Sequence, residues 1–142
     1  MKKYPCSLLA VLLLGIINIA IANEDRRQFV QLPEMMQNHM MANMRDHLNA
    51  LNDILVNMKN GELDKAAEVA EARLGMSSLE AHGASHMAEF MPEGMRQAGT
   101  SMHRAASRFA LKAQEGEVVP AYQALSDVTS ACVACHSAYR IR

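Results

Sequence analysis

The sequence has 142 residues, with 14 lysines and arginines, 15 aspartates and glutamates, and a formal net charge of −1. It contains twelve methionines and three cysteines but no tryptophan. Such a charge balance argues against nucleic-acid binding, which requires a basic face. The length is sufficient for one domain with one hydrophobic core.

Residues 1–22 have the pattern of a secretory signal peptide. Lys2 and Lys3 form a basic start, an apolar run follows over residues 8–21, and Ala20-Ile21-Ala22 supplies the small residues of a cleavage site. A membrane anchor is the alternative, but the run is shorter than the ~20 residues that a span needs. We therefore predict export of a soluble mature domain over residues 23–142, and Cys6 would be removed with the signal peptide.

Four helical segments and no strand are predicted after a polar lead-in over residues 23–31. The first covers residues 33–59, because Pro33 and Glu34 suit a first helical turn and Asn60-Gly61 suits an end. Its apolar residues recur three and four positions apart, as on one buried helix face. These residues are Met40, Met44, Leu48, Leu51, Leu55 and Met58.

The second segment starts with strong helix formers near residue 63 and extends to about residue 90. Gly75 and Gly83 interrupt it, so one kinked helix and two separate helices both remain open. The third and fourth segments cover about residues 94–114 and 118–139. Their predicted buried faces are Met95, Ala98, Met102, Ala105 or Ala106, and Phe109 in the third, and Val119, Tyr122, Leu125, Val128 or Thr129, and Cys132 in the fourth.

Four helices joined by short breaks favour antiparallel neighbours. The predicted fold class is therefore all-α, as an antiparallel up-down-up-down four-helix bundle.

The most specific motif is SACVACHSAYR, over residues 130–140. Cys132, Cys135 and His136 follow the order Cys-x-x-Cys-His, and residues three and four apart share one face of a helix. Two thiols in this order can bond to the vinyl groups of a haem, while the adjacent imidazole ligates its iron. A disulfide between these cysteines would close too short a loop to stabilise the fold.

Two other chemistries use related motifs. A zinc site needs four ligands, and only histidines such as His82, His86 and His103 are available to complete one. A redox dithiol is expected at the start of a helix that follows a strand, where the thiol pKa is lowered. Export and the absence of other cysteines from the mature chain favour covalent haem instead.

The Cys-x-x-Cys-His motif in the last predicted helix, followed by x-x-Tyr-Arg, resembles that of the class II cytochromes c, the cytochrome c′ family. This resemblance implies a four-helix bundle around one covalently bound haem c, periplasmic localisation, and a homodimer through the first two helices. It implies thioether bonds to Cys132 and Cys135, with His136 as the proximal iron ligand. Tyr139 and Arg140 match the family's aromatic and arginine positions beside the haem.

The family divides on the residue opposite the proximal ligand. Members with an apolar residue there keep a five-coordinate iron that is open to small gases, whereas low-spin relatives supply a methionine and carry electrons. Counting back from Ala66-Ala67 brings Met44 to this position, and such a ligand raises the haem potential. His47 and an open site are the alternatives. Met40 stands where the family often has an arginine near a propionate, so another residue such as Arg45 must supply that charge.

These residues predict a periplasmic carrier of single electrons, with periplasmic redox proteins as partners. No nucleophile with a general base is visible, so we do not predict an enzyme. A haem protein that binds nitric oxide or carbon monoxide is one alternative, and a haem-free copper or zinc protein rich in methionine and histidine is another. The histidines outside the motif and the distal position are expected on polar faces, with His82 and His86 one turn apart on a helix: His39, His82, His86 and His103.

Overall fold

The computed structural model describes residues 24–142, so the predicted signal peptide lies outside the described residues. The described part is mostly helical, which confirms the all-α class. Its elements are β1 (Gln28–Phe29), α1 (Glu34–Lys59), α2 (Leu63–Arg73), a 3₁₀ turn (Met76–Ser78), α3 (Ala84–Ala88), α4 (Glu93–Gln114), α5 (Val118–Ala138) and β2 (Tyr139–Arg140). Among these helices, none has the length and apolarity of a membrane span.

The bounds of α1 agree with the prediction, but its buried face is rotated from the predicted one. Leu48 and Leu55 are exposed to 69% and 46%, so their predicted place in the core is wrong. The buried residues are Met40, Asn43, His47, Ala50, Ile54 and Met58. This face has the same helical spacing, but polar and small residues interrupt its hydrophobicity, and the more apolar neighbouring stripe therefore dominates the sequence pattern.

The second predicted segment is two helices separated by irregular chain. Gly83 has a φ of +62°, in the left-handed region that favours glycine, and α3 starts directly after it. The end of α2 is tied to α1 by Arg73, which forms ion pairs with Asp46 and Asp53. These ion pairs therefore fix the end of α2, where the turn to α3 begins.

Helices α4 and α5 pack against each other, α4 also packs against α2, and α2 packs against α1. Their main core is built around Phe109 and Ile54, with many alanines that permit close helix approach. On α5, Leu125 and Val128 are buried as predicted. Val119 and Tyr122 are 68% and 46% exposed, so their predicted burial is wrong. The buried face of α5 begins at Ala121 instead.

A pair of two-residue strands corrects the prediction of a strand-free chain with a polar lead-in. β1 pairs in parallel with β2, with Gln28 opposite Tyr139 and Phe29 opposite Arg140. The Val30 amide then donates to the Arg140 carbonyl at 2.8 Å. Val30 and Leu32 are buried, because the lead-in alternates apolar and polar residues and covers the end of the chain.

Candidate functional site

A cavity of about 470 Å³ lies among α1, α3, α4 and the end of α5, and it opens to solvent. Pockets that bind cofactors and other small molecules occupy roughly 300–1,000 Å³. Seven methionines line this cavity: Met40, Met41, Met44, Met87, Met91, Met95 and Met102. Its wall is therefore soft and mostly apolar, and it can fit around a large rigid group.

Most of the residues predicted to surround a haem line this one cavity. Met44 lines it from α1, and Cys135 and His136 line it from the last turn of α5, together with Tyr139 and Arg140 of β2. The exception is Cys132, one turn earlier on α5. Its half-buried side chain packs against the main helical core instead.

The two thiols are free and half-buried. Burial raises the pKa of Cys132, and burial together with the neighbouring Cys132 raises that of Cys135. Both are therefore protonated at neutral pH. A redox dithiol requires the opposite shift, because its thiolate is the reactive form.

The lead-in holds the chain segment that follows the motif. Arg140 lies over the Phe29 ring, with its guanidinium carbon 5.0 Å from the ring centroid, and its Nε is 3.5 Å from a carboxylate oxygen of Asp25. Arg27 donates from Nη1 to the backbone carbonyl of His136 at 3.4 Å. Residues 25–32, named here the strap, thus restrain the backbone that carries His136.

Three histidines meet in the cavity wall: His47 of α1, His82 before α3, and His103 of α4. Their ring centroids are 4.8 Å apart for His47 and His82, 5.6 Å for His82 and His103, and 6.0 Å for His47 and His103. All three are buried, so the predicted polar-face positions of His82 and His103 are wrong, while His39 and His86 are exposed. His82 also precedes α3, so it does not share a helix with His86.

Hydrogen bonds hold two of these rings. The Nδ1–H of His103 donates to the Leu74 carbonyl at 2.7 Å, and the Nδ1 of His82 lies 3.3 Å from the Ser78 hydroxyl. The carbonyl of His82 accepts hydrogen bonds from Asn43 Nδ2 and His39 Nε2, at 3.0 and 2.9 Å. The histidine group is therefore anchored to α1 and to the end of α2.

His47 differs from the other two histidines in its hydrogen bonding, and its pKa is lowered. Its Nε2 is covered and has no hydrogen-bond partner among residues 24–142. Burial, with His82 and His103 beside it, lowers the pKa of His47 to about 4. Burial and His103 also lower the pKa of His82. The ring of His47 is therefore neutral at physiological pH.

Within residues 24–142, no group of three or more His, Cys, Asp or Glu side chains is arranged to hold a metal ion. Comparison of the chain with protein-family models, with curated proteins and with solved structures gave no match.

Sequence reasoning missed the burial of His82 and His103. On α4 a usable signal exists, because His103 lies next to Met102 and four residues after Gly99, within the apolar face that continues to Phe109. For His82 no such signal exists, since the glycine-containing turn around it has no helical period.

Proposed function

We propose that this protein is a periplasmic class II cytochrome c that carries single electrons through one covalently attached haem c. Cys132 and Cys135 form the thioether bonds, and His136 is the proximal iron ligand. Met44 is the distal ligand, and Tyr139 and Arg140 pack beside the haem. The protein is an electron carrier and not an enzyme.

The observation that carries this proposal is the convergence of distant residues on one cavity. Met44 and the Cys135-His136 pair are about ninety residues apart in the sequence, yet they line the same methionine-rich space. An imidazole and a thioether are both iron ligands in cytochromes c. The apolar wall and the neutral, half-buried thiols also suit a porphyrin attached through its vinyl groups.

The helix contacts support the four-helix bundle that belongs to this proposal. α1 connects to α2 through residues 60–62, and α4 connects to α5 through residues 115–117, and both connections are short enough to favour antiparallel neighbours. In this arrangement α1, α2, α4 and α5 are the four helices. The irregular chain around α3 forms one wall of the cofactor cavity.

The roles of the residues follow from their positions. A bound haem c would supply the one-electron chemistry. The cavity methionines would exclude water from a bound haem, and electrostatic interactions are stronger in a drier site. The strap contacts the backbone carbonyl of His136 through Arg27, beside the residue proposed to ligate the iron.

The decisive experiment is a pyridine haemochrome assay on the purified mature protein. We expect the spectrum of a haem bound through two thioethers, and denaturation and acid–acetone extraction should leave the haem on the chain. In the variant Cys132→Ser/Cys135→Ser the haem should be extractable or absent. A wild-type protein without covalent haem, purified from cells that load other cytochromes c, would overturn the proposal.

A further inference from the structure

Helix α4 has an unusual charge distribution for this chain. Residues 24–142 contain 12 lysines and arginines against 15 aspartates and glutamates, a net charge near −3. On α4, by contrast, Glu93 is the only acidic residue, and four basic residues follow it: Arg96, Arg104, Arg108 and Lys112. Positive charge is therefore concentrated on one element of an acidic domain.

Three of these cations are not neutralised by a carboxylate. Lys112 pairs with Glu115 at 2.8 Å, but Arg96 donates only to backbone carbonyls, those of Met91 and Ala88. Arg104 and Arg108 are exposed and have no ion pair within residues 24–142. We name Arg96, Arg104 and Arg108 the α4 basic face.

The α4 basic face adjoins the opening of the cavity. Arg96 and Thr100 line the cavity, and they also line a shallow depression beside it that extends to Arg104. Arg108 follows one turn further along the same side of the helix. The carboxylate of Glu93, at the start of α4, accepts a hydrogen bond from Gln97, and among residues 24–142 it is the only acidic group that lines the depression.

The other side of the opening also carries arginines, and a carboxylate lies beside two of them. Arg27, Arg140 and Arg142 line the cavity there, and Arg27 and Arg140 share Asp25, at 2.7 and 3.5 Å. No aspartate or glutamate lines the cavity itself among residues 24–142. The α4 basic face therefore carries three arginines without a carboxylate partner among residues 24–142, whereas Asp25 partly offsets the charge on the other side.

We propose that the α4 basic face is the docking surface for a redox partner that presents an acidic surface. This inference rests on the proposed electron-carrier function, because the cavity opening is where the edge of a bound haem would be nearest to a partner. Charge complementarity of this kind steers encounter and sets orientation. Without the local face, the net charge of the domain would repel an acidic partner.

The test measures electron transfer from the reduced, haem-loaded protein to hexacyanoferrate(III), a small anion, by stopped flow. Each encounter moves one electron from the protein to the reagent, which becomes hexacyanoferrate(II). Ionic strength is raised from about 0.01 to about 0.15 M, which shortens the Debye length from roughly 30 to 8 Å. The α4 basic face predicts a rate constant that falls with salt, whereas the net negative charge predicts one that rises.

Two charge-reversal pairs complete the experiment. Arg104→Glu/Arg108→Glu should lower the rate constant at low salt on the order of tenfold and remove its salt dependence. The matched control, Lys59→Glu/Lys65→Glu, changes the net charge equally at exposed positions of α1 and α2 that do not line the cavity. The inference is overturned by a wild-type rate that rises with salt, or by equal losses in both variants. Absence of covalent haem would instead overturn the electron-carrier function, and the docking surface with it.

Discussion

Met44 and His47 lie one turn apart on α1 and both border the cavity, but their side chains are available to different degrees. The Nε2 of His47 is covered by protein, so it cannot reach a group inside the cavity unless the ring turns. Met44 is half-buried and lines the cavity as it stands. The Met44 thioether is therefore the better candidate for the distal ligand of the haem that we propose.

Replacing Met44 with alanine tests this assignment. We expect the wild-type ferric protein to be low-spin, with a weak far-red methionine–iron band in its absorption spectrum. Met44→Ala should be high-spin and should bind carbon monoxide when reduced, because the iron loses its sixth ligand. The control Met41→Ala removes another cavity methionine from α1 and should remain low-spin.

Two results would contradict the Met44 assignment. A Met44→Ala protein that stays low-spin would show that another side chain, such as His47, ligates the iron. A wild-type protein that is high-spin and binds nitric oxide would favour the gas-binding alternative.

The buried histidines make stability depend on pH. The pKa of His47 is lowered from 6.5 to about 4, so the unfolded chain binds a proton between these values while the folded protein does not. The free energy of unfolding therefore does not depend on His47 protonation above pH 6.5. It decreases as the pH falls toward 4, by on the order of 3 kcal/mol in total. Asp46 opposes the lowering of this pKa, and Arg73 adds to it.

Urea unfolding at pH 7.5 and pH 5 measures this dependence. His47→Leu should reduce the loss of stability between the two pH values, whatever its effect on stability at pH 7.5. His86→Leu replaces an exposed histidine on α3 and should leave the pH dependence unchanged. An identical pH dependence in wild type and His47→Leu would show that His47 is not the group responsible.

At the scale of elements, the strap is the part of the fold that helical periodicity in the sequence does not predict. Leu32 is 7% exposed and packs in a small cluster with Val30, Met40, Met87 and Met95. Leu32→Ala should therefore lower the free energy of unfolding by roughly 2–5 kcal/mol, as large-to-small core changes do. Leu111 of α4 is 65% exposed and provides a matched control, since Leu111→Ala should change the free energy of unfolding by less than about 0.5 kcal/mol. Equal effects in urea unfolding would contradict the burial of the strap.

The helices themselves were largely predictable from the sequence, and the reason is their spacing. Met95, Met102 and Phe109 of α4 are buried as their period indicates. On α1, hydrophobicity alone predicted the wrong buried face, because the observed face includes the polar residues Asn43 and His47. Those polar residues are enclosed because partners in other elements surround them, which no local pattern records.

The strands were not predictable for a related reason. Gln28 and Phe29 have neither the length nor the apolar run of a typical strand, and both are exposed. They pair with Tyr139 and Arg140 because tertiary packing brings two distant segments side by side. A two-residue strand is defined by its partner, so its own sequence contains little signal.

At the scale of the whole molecule, the homodimer implied by the family resemblance is a prediction for which α1 offers exposed apolar side chains. Leu48 and Leu55 lie on one side of α1, and the predicted homodimer through the first two helices would cover them. Leu48→Glu/Leu55→Glu should convert a dimer to a monomer in light scattering coupled to gel filtration. Leu111→Glu, on an exposed position of α4, should not. A wild-type monomer at all accessible concentrations would contradict the homodimer.

The candidate site shows the same division at molecular scale. Cys132, Cys135 and His136 could be singled out because a short motif contains all three. Met44 could be identified only by applying the residue spacing of the family that the chain resembles. The three-histidine group could not be predicted, because its members come from three separate elements. A short motif can be recognised in a single sequence, whereas residues that only folding brings together can be recognised only in the structure.

The strap also has a consequence in time. Arg27 and His136 are separated by 109 positions, so their contact closes almost the whole described chain into a loop. Contacts that close long loops form late in folding, after the helices have assembled locally. Until then the backbone around His136 is not restrained by the strap. The covalent haem attachment proposed above would therefore meet a last turn of α5 that is still free to adjust.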